Sequence, residues 1–112
     1  YLDWRREQGR RHGLRVAAIM AEAGYSEEDG DRVGTLLRKE GIKRDPEVQA
    51  LEDVICFVFL KFHFTPFAAE RGEEQTLDIV RKTARKMSEA GRARVLEEFD
   101  LPGPLAEAFR AA

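Results

Sequence analysis

Three polar residues stand where their chemistry would count, namely His12, Glu40 and Asp53, with Glu52 beside the last. Asp53 shares a helix face with Cys56, Phe57 and Leu60. A carboxylate taken out of water on such a face is costly unless it is paired or hydrogen-bonded, so Asp53 must have a partner. One reading places it in a metal site or a proton relay, with His12 and Glu40 converging from the two preceding helices. His12, Glu40 and Asp53 are then the catalytic residues. His12 and Asp53 hold a divalent metal ion such as manganese, iron or zinc, and Arg5 and Gln8 bind a phosphate, a task for which a planar guanidinium is suited. The other reading gives Asp53 a salt bridge to Arg5, Arg15, Arg38 or Lys39 that locks the helices. Glu52 lies about 100° around the helix from Asp53, so the two acids need different partners.

Other chemistry is sparse. One cysteine and two histidines exclude the usual structural zinc sites within one chain. No Gly-rich phosphate loop, Ser-His-Asp set or aromatic-spaced RNA motif is present. His63, between Phe62 and Phe64, reads as a packing residue. Arg5, Arg6, Arg10, Arg11 and Arg15 make the first helix basic, but their angles scatter over most of its circumference. Arg81, Lys82, Arg85 and Lys86 form an exposed face, with Asp78 four residues before Lys82 as a helical ion pair.

The elements that must position these residues are helices. The stretch from Leu2 to Ala23 has no proline, and Gly24 stops it. One line of it (Tyr1, Arg5, Gln8, His12, Val16, Ile19) is expected to run into the core, which turns His12 inward. Ser26 followed by Glu27, Glu28 and Asp29 reads as an N-cap with acids in the first turn, opening a second helix that runs to Glu40 before Gly41. Asp45-Pro46-Glu47 is the clearest helix start in the chain. The third helix carries Val48, Leu51, Ile55, Val58 and Phe62 as its expected core stripe and ends near Thr65-Pro66. A fourth spans roughly Glu73 to Ala90, with Leu77, Val80, Ala84 and Met87 inward. A short helix through Val95 and Phe99 and a last one through Leu105 and Phe109 follow, the latter after Pro102-Gly103-Pro104.

Composition bounds the rest. The chain has 112 residues, 43% hydrophobic and 36% charged, which fits a single helical domain over residues 1–112. Nineteen basic against 21 acidic residues leave a net charge of −2, which argues against nucleic acid and anionic membranes as partners. Val54 to Leu60 is far shorter than the roughly 20 apolar residues that cross a bilayer. Cys56 inside that run fits a reducing, cytoplasmic setting. Because the first residue is Tyr rather than Met, the chain is expected to be the C-terminal part of a longer one.

Four strings, Tyr1-Leu2-Asp3-Trp4-Arg5, Lys39-Glu40, Asp45 through Asp53, and Lys86-Met87-Ser88, together resemble the family catalogued as domain of unknown function 4202. That family name implies no activity. A more distant likeness is to the HD-domain phosphohydrolases, helical proteins that hold metal through an early His, a His-Asp pair and a distant Asp. Carried onto this chain, it implies His12 for the first and Asp53 for the last, whereas Lys39-Glu40 stands where His-Asp would be expected. A protonated lysine cannot ligate a metal.

The sequence thus predicts an all-α fold, a compact bundle of five to six helices with a central apolar third helix. It supports two functions: an HD-like metal-dependent phosphohydrolase acting on a small phosphorylated or nucleotide substrate, or a non-enzymatic binding or protein-interaction module with a structural polar network. Oligomeric state is left open.

Overall fold

Helix boundaries follow the caps written into the chain. The computed structural model describes residues 1–112 and contains helices α1 (Leu2–Glu22), α2 (Glu27–Leu37), α3 (Pro46–Val58), α4 (Phe64–Ala69), α5 (Glu73–Lys86), α6 (Glu89–Glu98) and α7 (Gly103–Ala111). A π-helical turn, Phe59–His63, joins α3 to α4 without a break, so these make six helical rods. The fold class is all-α, as the periodicity predicts. The chain divides into two units, Tyr1–Val48 and Gln49–Ala112.

The first unit is an antiparallel pair of helices that meet through glycine. Gly9 faces the Leu37 carbonyl, Gly13 faces Gly34, and Gly30 faces Ala17, with the space for a Cβ ending 3.4 to 3.5 Å from those neighbours. Small residues four apart on each helix let the two backbones approach, a device that replaces interdigitated side chains by direct contact. Ser26 caps α2 by accepting from the Asp29 amide at 3.1 Å. α2 ends at Leu37, earlier than its expected end at Glu40, because Lys39 takes a left-handed conformation with φ 56°.

The turn after α2 is held by charge. Arg32 donates to both oxygens of Asp45 at 2.7 and 2.6 Å and to Glu47 at 2.8 Å. Asp45 also caps α3, accepting from the Glu47 and Val48 amides at 3.0 and 3.4 Å. The Arg32 guanidinium, with help from these amides, lowers the Asp45 carboxyl to about 2, and Arg32 is raised in return.

Apolar burial organises the second unit. Cys56 and Leu60 meet Val80 and Ala84 of α5, Met87, Val95 of α6, and Ala108 and Phe109 of α7. Phe57 stacks at a tilt on Phe99, and Phe59 meets Phe64 and Phe67 edge-on. Thr65-Pro66 does not end the third rod. Pro66 falls in the first turn of α4, where its missing N–H costs nothing, and the π-turn just before it relieves the crowding its ring would impose on the carbonyl of Phe62.

The inward face of α3 also differs from the expected stripe. Val48, Glu52, Cys56 and Leu60 are buried, whereas Ile55, Val58 and Phe62 are 44%, 40% and 63% exposed. Both faces of this helix are apolar, so periodicity alone did not choose between them. The choice falls to the i, i+4 line that brings Cys56 and Leu60 against α5, α6 and α7.

Candidate functional site

Asp53 projects from α3 toward the start of α6. Its Oδ1 accepts from the Ser88 amide at 2.8 Å and from the Gln49 side-chain amide at 3.0 Å, and its Oδ2 accepts from the Ser88 hydroxyl at 2.5 Å. Ser88 is the N-cap of α6, its Oγ accepting from the Gly91 amide at 3.0 Å. Gln49 also donates to the Lys86 carbonyl at 2.9 Å, near the end of α5. One carboxylate and one amide thus join the end of α5 and the start of α6 to α3. The negative charge sits at a helix N-terminus, where unpaired amides and the helix dipole favour it.

Gly91 makes room for this arrangement. A Cβ there would lie 2.8 Å from Asp53 Cγ and 2.9 and 3.0 Å from its oxygens. This explains why α5 stops at Lys86 instead of running to Ala90 as expected. The Asp53 carboxylate takes the Ser88 amide and hydroxyl, Ser88 starts a new helix, and Gly91 becomes part of its first turn.

The partner of Asp53 is therefore neither the basic residue of one expectation nor the histidine of the other. Glu52, about 100° around the helix from Asp53, is the buried acid, 3% exposed, with the Cys56 thiol 3.8 Å from Oε1. It was missed although Val48 and Cys56 bracket it at four-residue spacing on one line.

The other candidate residues lie in the first unit. His12 and Arg5 are exposed, which corrects the inward direction expected for His12, and Gln8 is half-buried. The buried line of α1 passes through Gly13, flanked by half-buried Gly9, Val16, Ala17 and Met20. Glu40 is exposed, lies beyond the end of α2 and accepts from Arg38 at 2.8 Å. No group of three or more His, Cys, Asp or Glu side chains is placed to hold a metal ion.

Several depressions mark the second unit. A groove of about 470 Å³ between α3 and α6 is bordered by Asp53, Val54, Phe57, Val58, Lys61 and Arg94, among others. A larger one of about 650 Å³ lies where α5 and α7 begin, bordered by Arg71, Thr76, Leu77 and Leu105. Arg71 is set by its stacking on Phe67, 3.6 Å from the ring centre, and by donation to the Phe67 carbonyl at 3.1 Å.

A family model described as "Domain of unknown function (DUF4202)" matches residues 1–108. The chain belongs to that family. No curated protein and no solved structure matches it. In this DUF4202 chain, two of the four strings that carry the resemblance meet in space at the node just described, since Gln49 and Asp53 lie in one and Lys86 and Ser88 in another. No helix is long and apolar enough to cross a membrane.

Proposed function

We propose that this DUF4202 chain is a non-enzymatic binding module whose polar network around Asp53 holds helices in place. The observation that supports this is the occupation of both Asp53 oxygens by Ser88, with Gln49 on one of them, at hydrogen-bonding distance. Ser88 and Gln49 take three of the roughly four acceptor positions of this carboxylate, so most of its capacity is spent on a helix cap and a neighbouring amide rather than held open for an ion or a substrate proton. Its competitor is an HD-like hydrolase that uses His12, Glu40 and Asp53 with manganese, iron or zinc, and Arg5 and Gln8 on the phosphate.

Asp53→Asn separates the two. Asparagine keeps the shape but loses the charge, and it turns an NH₂ toward groups that are themselves donors. As a structural residue, Asp53 loses about 1.5–3 kcal/mol of folding free energy on this change, the range for hydrogen bonds to a charged group. Neither parent nor variant then hydrolyses phosphomonoesters with any of the three metals. A variant that melts like the parent, but from which a metal-dependent hydrolysis has vanished, overturns the proposal.

A further inference from the structure

With Gly9, Gly13 and Ala17 turned toward α2, the outward surface of α1 acquires a definite composition. At 100° per residue, Trp4, Arg5, Gln8, Arg11, His12 and Arg15 fall within an arc of about 120°, together with Tyr1. The acids of the first four turns lie outside it. Asp3, Glu7 and Arg10 are on one flank and Arg6 falls on the azimuth of Gly13 and Ala17, with Arg6 paired to Asp3 at 3.7 Å and Arg10 to Glu7 at 2.6 Å. Of the arginines in the arc, Arg11 reaches across to Glu7 at 3.0 Å, whereas Arg5 and Arg15 form no ion pair. Tyr1 and Trp4 are 84% and 62% exposed, with ring centres 6.5 Å apart and planes inclined by 22°, and Arg5 lies 5.9 Å from the Tyr1 ring centre.

We infer that the outward face of α1 is a binding surface for single-stranded nucleic acid, with Trp4 as a stacking platform and Arg5 and Arg15 on the phosphates. Guanidinium groups neutralise phosphodiesters, and exposed aromatic rings take unpaired bases on their faces, which a duplex does not offer. An acidic protein would use the cations but not the near-parallel ring pair. The net charge of the whole chain argued the other way, but it averages over both faces of α1. The scatter of arginines around α1 is resolved once its inward side is known, because Arg6 and Arg10 lie outside the arc and are partnered by Asp3 and Glu7. The inference builds on the reading of the chain as a binding module. Its readout is independent of Asp53, so the two can fail separately.

The test uses the chain with a fluorescently labelled twelve-nucleotide oligo(dT), titrated at low and moderate salt. Trp4 is the only tryptophan, so its emission reports stacking directly. Binding is expected to quench it, to weaken steeply with salt, and to fall about 10-fold or more in Trp4→Ala, whose exposed site leaves folding intact. Arg5→Ala should weaken binding and flatten the salt dependence. Absence of binding at low salt overturns the proposal, as does binding that leaves Trp4 emission and the Trp4→Ala affinity unchanged. Equal or tighter binding of polyglutamate or of phosphatidylserine vesicles also overturns it, in favour of an acidic protein or a lipid surface.

Discussion

The two units solve the problem of holding helices together in different ways. In Tyr1–Val48 the helices touch through glycine and alanine, ion pairs fix the following turn, and Val48 is the only fully buried apolar side chain. In Gln49–Ala112 every other buried apolar side chain is found, clustered around Phe109, Met87 and Val80. The first arrangement gains from close backbone contact and gives up little side-chain entropy, whereas the second relies on apolar area removed from water. The difference concentrates the buried apolar side chains in the second unit, whereas the first holds its helices together through backbone proximity and ion pairs.

The strongest way to break that comparison is Phe109→Ala. Phe109 is 1% exposed, and its loss leaves a cavity among α5, α6 and α7, costing about 3–5 kcal/mol in a denaturant titration. A cost below about 1 kcal/mol, the range of a non-core position, would mean that the cluster does not carry the fold.

A smaller effect probes the ionic anchor of the first unit. The Asp45 carboxyl is lowered from 3.8 to about 2 by Arg32, so the stability it contributes is complete above pH 3.8 and is lost as the pH falls through about 2. The Glu47 amide, which donates to Asp45, should follow this titration by NMR with a midpoint near 2. A midpoint near the ordinary 3.8 would remove Arg32 as the anchor.

How much of this was legible in the sequence depended on whether the signal was local. The Ser26 cap, the Asp45-Pro46 start, the break at Pro102-Gly103-Pro104 and the all-α class are properties of short stretches, and the structure has them all. The requirement that Asp53 have a partner was equally legible, but the partner's identity was not. Ser88 lies 35 residues away in sequence, and its cap was hidden inside what reads as one apolar-periodic helix. A signal did exist: Ser88-Glu89 repeats the cap pattern of Ser26-Glu27. The inward sides of α1 and α3 were misassigned for one physical reason. Glycine carries no hydropathy signal even when it forms the contact, and α3 is apolar on both sides, so tertiary contact decided what periodicity left open.

The central claim is that Asp53 serves the junction of α5 and α6, and a mutant cycle with Gly91 tests it most directly. Glycine to alanine inside a helix ordinarily stabilises by about 0.5–1 kcal/mol. Here the new Cβ meets Asp53 Cγ at 2.8 Å, and Asp53 can retreat only by leaving Ser88. Gly91→Ala should therefore destabilise the parent by about 1–3 kcal/mol, and the same change made on Asp53→Ala should be neutral or stabilising. If Gly91→Ala stabilises the parent, or has the same effect in both backgrounds, Asp53 does not occupy the cap of α6.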